Sequence, residues 1–213
     1  MPQEFESNYE KVFRHFQQEF LKLDQEKTAV KLGFSVTDQT IFIPWFRERW
    51  EIDRESGVIR DGKGQIPPVN DRLLIMHHLC FVRMDAVRSG KWVPFRQIRE
   101  AACFERAYKK SAVDPVTERF SGRTELFDRA ARALGGCPVP YGDAGYRITV
   151  FPRIELTYIF YDSDEEFPAS CNILFESTIT SWIHPESVPS LASAATERLL
   201  RAAEGESGDK REL

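Results

Sequence analysis

Asp162, Asp164, Glu165 and Glu166 place four carboxylates within five residues, directly after the apolar run RIELTYIFY (153–161) and just before Phe167-Pro168 and Cys171-Asn172. Carboxylates at that density have three uses: a calcium loop, a magnesium or acid/base centre, or a solvated turn. The calcium reading fails, because the D-x-D start lacks the later glycine and terminal glutamate of the twelve-residue loop. A magnesium site needs only one or two carboxylates with waters and substrate phosphates, and basic residues elsewhere could hold those phosphates. The plain turn needs no ligand: Pro168 fixes the backbone, Phe167 enters the core, and Asn172 hydrogen-bonds within the turn before Ile173, Leu174 and Phe175 join a sheet. The turn is the expectation taken forward. Cys171 then acts as a small hydrophobe unless a nearby cation favours its thiolate.

Other chemistry is thin. His77 and His78 are adjacent, and helical neighbours point about 100° apart, so they cannot chelate one ion together. The four cysteines, Cys80, Cys103, Cys137 and Cys171, form no C-x-x-C pair, so buried free thiols are expected rather than a zinc or cluster site. There is no G-x-S-x-G, H-E-x-x-H, GxxxxGK[ST] or G-x-G-x-x-G, and GKGQ at 62–65 lies in a Pro-flanked loop, not between a strand and a helix. No cofactor and no metal ligand set is expected.

The elements that must position these groups follow from periodicity. Phe5, Tyr9, Val12, Phe13, Phe16, Phe20 and Leu23 recur at helical spacing and predict a core-facing stripe. From Val30 the period becomes two through VKLGFSV, TIFIPWF and RERWEID, with Ser56-Gly57 as turn chemistry before VIRD, which predicts a small antiparallel meander. Pro44 cannot donate to a ladder, so its strand is expected at an edge or a bulge.

After the loop Gly62–Pro68, Asn70 or Asp71 caps a helix through RLLIMHHLCF, with Leu73, Leu74, His77 and Phe81 on one side. REAACFERAYKK, DPVTERF and RTELFDRAARALGG read as helical pieces, with Pro115 in a first turn and two glycines closing the last. GYRITVF, RIELTYIFY and NILF are strands. ESVPSLASAATERLLRAA is a C-terminal helix capped by Ser187. The prediction is one α+β domain over 1–204, a mostly antiparallel sheet covered by N-terminal, middle and C-terminal helices, with a frayed tail at 205–213.

The chain has 213 residues and 42% hydrophobic content, enough for one core without a second domain. Its net charge of −4 gives no global support for nucleic acid as a partner. Positive charge gathers between Arg83 and Arg132, where twelve Lys/Arg face seven Asp/Glu; such a segment frames an anionic ligand or forms a solvated helical face. The charged N-terminus lacks a leader's apolar core, and no segment approaches the ~18 apolar residues of a membrane helix. A cytoplasmic protein without a membrane partner is expected.

The order PPVNDRLLIMHHLCF, GKWVPFRQI, FERAYKK, ERF, and then LFDRAARALGGCPVPYGDAGYRITVF through ITSWIHPESVPSLA resembles a prokaryotic domain family of unknown function. The resemblance implies members that are widespread in anaerobes and occur alone or fused behind a four-iron four-sulfur domain of corrinoid-protein type. It implies no reaction. Its hallmark positions here are Trp92, Phe95, Tyr141–Asp143, Pro152, Arg153 and the turn from Asp164 to Asn172. This chain has no clustered-cysteine domain, so an electron-carrying role depends on a separate iron–sulfur or corrinoid protein.

The preferred reading is an accessory domain that binds a small molecule or partner, with Arg96, Tyr141, Asp143, Arg153, Asp164, Glu166 and Asn172 as candidate binding residues. The rival is an enzyme in which Asp143 and the carboxylates from Asp162 to Glu166 hold a metal or transfer protons while Arg96 or Arg153 holds an anionic substrate. It requires Tyr141–Asp143 and the acidic turn to share one edge of the sheet. A third reading is an oligomer paired through the strand TIFIPWF.

Overall fold

Helix α1 (Asn8–Phe20) begins where the Ser7 hydroxyl accepts the Glu10 N–H at 3.2 Å, an N-cap that satisfies one of the free donors of the first turn. The computed structural model describes residues 7–208, so Phe5 of the expected stripe lies outside the described residues. Phe13 and Phe20 are buried, and Phe16 meets His77 and Phe81 of α3 (Val69–Phe81) edge-on at 4.4 and 5.4 Å. Tyr9 and Val12 remain 61% and 42% exposed. The core takes the stripe from Phe13 onwards and not its N-terminal part, so periodicity overstated the buried face.

The second helix corrects the sequence reading. Residues Gln25–Leu32 form α2, opened by the Asp24 carboxylate accepting the Lys27 N–H at 3.1 Å and closed by Gly33 in the left-handed region at φ 78°. The alternation starting at Val30 is the last turn of this helix, and the first strand begins only at Ser35. Asp24 and Gly33 were the available signals, as cap and stop.

The meander then forms as expected: β1 (Ser35–Val36), β2 (Thr40–Trp45), β3 (Glu48–Asp53) and β4 (Ile59–Arg60), antiparallel and in that order. Pro44 is on an inner strand, yet β1 reaches only Ile41 and Phe42, so the proline lies past the end of its neighbour. The expected single sheet is two. The second contains β5 (Trp92–Pro94), β6 (Cys137–Pro138), β7 (Ala144–Phe151), β8 (Ile154–Tyr161) and β9 (Ser170–Glu176), ordered β5-β9-β8-β7-β6 and antiparallel throughout. The Phe46 N–H donates to the Val150 carbonyl at 2.9 Å and joins the two sheets at the β2–β3 turn. The molecule is an α+β domain with antiparallel sheets.

Helix α3 is capped at Pro68 without a side-chain bond, not at Asn70 or Asp71. It is buried over most of its circumference, through Leu73–Met76, His78 and Leu79. The middle pieces are more continuous than expected. Helix α4 (Glu105–Tyr108) passes through a π-helical turn (Lys109–Val113) into α5 (Asp114–Phe120), and α6 (Thr124–Ala133) follows. Pro115 supplies no N–H to the carbonyl four residues back, Ser111, and its ring crowds that carbonyl. A widened turn before the proline relieves both problems.

Hydroxyls of α7 (Ser187–Gly208) reach the loosened carbonyls: Ser193 Oγ donates to Ser111 O at 3.4 Å and Thr196 Oγ1 to Ala112 O at 2.8 Å. Thr196 is 1% exposed and also meets the Tyr158 hydroxyl of β8 at 3.0 Å. One buried threonine therefore ties sheet, middle helices and C-terminal helix. Of the tail expected from residue 205, α7 includes the residues to Gly208, and 209–213 lie outside the described residues.

Three further polar groups hold loops in place. Glu176, 4% exposed, accepts from the Ser89 N–H (2.6 Å), Ser89 Oγ (2.5 Å), the Gly90 N–H (3.0 Å), the Thr178 N–H (2.8 Å) and Thr178 Oγ1. His78 is fully buried against Phe151, with Nδ1 2.7 Å from the Trp182 carbonyl, and His77 Nδ1 is 2.5 Å from Ser187 Oγ.

Two outcomes follow from these contacts. Thr196→Val keeps the shape but removes the hydroxyl between Ala112 and Tyr158, so urea unfolding is expected to show a loss of about 1–3 kcal/mol; a loss below about 0.5 kcal/mol contradicts the assigned role. Burial lowers the pKa of both His77 and His78 from 6.5 to about 4, aided at His77 by His184 and opposed at His78 by the Trp182 carbonyl. Both are neutral when folded, and the unfolded chain takes up protons first, so their stabilisation is complete above pH 6.5 and is lost as pH falls towards about 4. Urea titrations across that window should show stability falling with pH, and the dependence should be reduced in His77→Gln.

Candidate functional site

Beyond Pro94 the β5 strand leaves its neighbour. It pairs with β9 only through Trp92–Glu176, Val93–Phe175 and Pro94–Leu174, so residues 170–173 of β9 have no strand beside them on that side. The chain turns instead into a short 3₁₀ segment, Phe95–Gln97. Phe95 stacks on Tyr108 of α4 with ring centres 4.1 Å apart and planes within 8°, and Phe175 meets both rings edge-on. This aromatic trio props the helices away from the strand edge.

The result is a cleft of about 610 Å³. Its floor is Ala169–Ile173, its closed end is Pro94–Arg96, and its wall is formed by α4, the π turn and α5. Arg96 and Lys109 bring positive charge to it, and Glu105, Asp114 and Glu118 bring negative charge. Burial raises the Tyr108 phenol above its ordinary range, partly offset by a hydrogen bond with the Ile173 backbone. Burial likewise pushes the Cys171 thiol up to about 12, so it is protonated and behaves as an apolar lining group.

The acidic stretch adjoins the outer end of this floor and acts on backbone. Asp162 accepts from the Thr124 hydroxyl (2.6 Å), the Gly122 N–H (2.7 Å) and the Ser163 N–H (2.8 Å), anchoring the α5–α6 connection. The Thr124 hydroxyl is the main cause of its lowered pKa, with the Gly122 and Ser163 N–H groups adding to it against the effect of burial. Asp164 accepts from the Glu166 and Phe167 N–H groups at 2.8 and 2.7 Å, closing the turn. Asp143 Oδ2 accepts the Asp162 N–H at 2.7 Å, so the Tyr141–Asp143 turn and the acidic turn do share one edge. Among the described residues, no group of three or more His, Cys, Asp or Glu side chains is placed to hold a metal ion.

Phe167 does not enter the core; it is 66% exposed. The strand starts at Ser170, so Asn172 belongs to β9 rather than to the turn. Of the candidate residues, Arg96 and Asn172 line the cleft together. Asp143, Asp164, Glu166 and the exposed Tyr141 belong to the neighbouring corner. Arg153 is in the turn after β7, at the far end of an eight-residue strand from Asp143, roughly 25 Å away at about 3.3 Å per residue. It packs near Gly33. The sequence reading missed Tyr108, Lys109, Asp114 and Glu118; their signal was Pro115 inside an otherwise helical run, which marks a bulge beside a site.

These features define an α+β domain with a mixed-charge cleft at an open sheet edge. The chain belongs to the family described as a domain of unknown function, DUF3786, which matches residues 24–198. That span includes the cleft, the acidic corner and both sheets but not α1. Comparison with curated proteins and with solved structures returned no match. Among the described residues, no helix is long and apolar enough to cross a membrane.

The two halves of the acidic stretch should separate under mutation. Asp162→Ala removes three accepted bonds and is expected to lower stability by about 1–2 kcal/mol, whereas Glu165→Gln with Glu166→Gln should stay within about 0.5 kcal/mol of the parent. Equal losses in denaturant titrations would refute this division.

Proposed function

We propose that the protein is a ligand-binding accessory domain and that the cleft between β9 and α4–α5 is its binding site. The observation that carries this reading is the stacked Phe95–Tyr108 pair holding open a cleft that has charges of both signs at its rim. Pockets of this size with an aromatic wall and a few convergent polar groups are where small molecules bind. The ligand that fits is a small amphoteric molecule: its anionic group meets Arg96 and Lys109, its cationic or donor group meets Glu105, Asp114 or Glu118, and its body lies along the aromatic wall.

The protonated Cys171 and the lack of histidine in the lining favour binding over bond breaking. The metal-assisted alternative is weaker, because Asp162 and Asp164 are already committed to backbone N–H groups. Association with a separate iron–sulfur or corrinoid protein is part of the same proposal and rests on the sequence resemblance.

A thermal-shift screen of amino acids and short peptides, with and without divalent metal, tests the binding reading. A compound present at 100 times its Kd should stabilise the fold by about 2.7 kcal/mol. Arg96→Gln combined with Glu118→Gln should abolish that shift and leave the unliganded melting temperature within a few degrees. Equal stabilisation of the variant by every active compound, or no active compound, defeats the proposal.

A further inference from the structure

The face of the five-stranded sheet away from the helices carries a second, independent polar site. Tyr146 and Tyr158 point to the helices, bonding Asp128 of α6 and Thr196 of α7; strand alternation therefore places Arg147 and Thr157 on the opposite face. They are direct cross-strand partners, and Leu174 of β9 is next to Thr157 in the same row.

The Arg147 guanidinium lies over the indole of Trp92, 4.5 Å from the ring centre. Trp92 is on β5, and β8 and β9 separate it from β7. The two side chains thus reach towards each other across the sheet and roof Thr157, leaving it 2% exposed. Under that roof, Thr157 Oγ1 and Arg147 Nε are both buried without a hydrogen-bond partner.

Among the described residues, no carboxylate is bonded to the Arg147 guanidinium: Glu155, diagonal to it on β8, is bonded to Arg88 at 2.5 Å, and Glu176 accepts from the Ser89, Gly90 and Thr178 donors. A guanidinium presents its donors as a planar fork that matches carboxylate and phosphate oxygens, and stacking on tryptophan orients that fork. Two adjacent buried donors without acceptors, on a face where no carboxylate bonds the guanidinium, are complementary to a ligand that supplies several acceptor oxygens and negative charge.

We propose that Arg147, Thr157 and Trp92 form an oxyanion-binding site, in which Arg147 takes the oxygens of a carboxylate or phosphate and, as its side chain shifts with the bound anion, uncovers Thr157 to donate its hydroxyl to the same group. Trp92 is the positioning residue for the guanidinium. The site is separate from the cleft and does not depend on the cleft's function.

The test is a pair of NMR titrations of the full chain, one with inorganic phosphate and one with succinate, at constant ionic strength set with chloride. The Trp92 indole N–H, the Arg147 Nε–H and the Thr157 amide report on the site. A saturable shift of these three signals with either anion is expected, and the anion that produces it identifies the site as phosphate- or carboxylate-selective. Arg147→Gln should weaken binding by about tenfold or more, and Arg147→Lys, which keeps the charge and loses the fork, by at least about fivefold. Thr157→Val should weaken binding with Arg147 intact. Circular dichroism melts establish that each variant is folded, and Arg147→Lys is the reference should Arg147→Gln unfold. Shifts that fail to saturate with both anions, or affinity unchanged in Arg147→Lys and Thr157→Val, overturn the proposal.

Discussion

A proline in the middle of a helical run sets the geometry on which the rest of this fold depends. Pro115 removes one amide and crowds the carbonyl a turn earlier, so the chain widens at Lys109–Val113. Carbonyls loosened in a protein interior require donors, and Ser193 and Thr196 supply them from α7. That demand fixes how α7 lies across the sheet, because Thr196 must also meet Tyr158. The widened turn also contributes Lys109 and Val113 to the wall of the cleft, beside the Phe95–Tyr108 stack. One backbone irregularity thus takes part in both the helix packing and the cleft wall.

In the acidic corner three carboxylates are engaged with the backbone of tight turns. Asp162 and Asp164 face backbone N–H groups rather than each other, and Asp143 does the same from the adjoining turn. Each carboxylate satisfies donors that a tight turn would otherwise leave exposed to competition from water. This corner adjoins the start of β9, and β9 is the floor of the cleft.

Much of this architecture was legible in the residues. The β2–β3 hairpin, the long β7–β8 pair, α3 and α6 all carry periodicity over enough residues to identify them. Helix α2 was not legible by period, since its final turn mimics a strand, although Asp24 and Gly33 mark its ends. The buried face of α1 was overstated because periodicity says which side is apolar and not how far a partner extends. Arg96 and Asn172 could be named as candidates but not placed on one cleft, as that depends on β5 ending at Pro94. Arg147 escaped notice because a polar residue inside a strand reads as solvent-facing, and only cross-strand register reveals Thr157 and Trp92 around it.

The open edge of β9 is also a hazard, since a run of unpaired strand backbone is a template on which a second molecule can extend the sheet. The turn at Phe95–Gln97 and the charged side chains of Arg96, Lys109 and Glu118 stand around that edge. Bulk and charge placed there obstruct the approach of a second strand, so the geometry that opens the cleft also guards the edge it exposes.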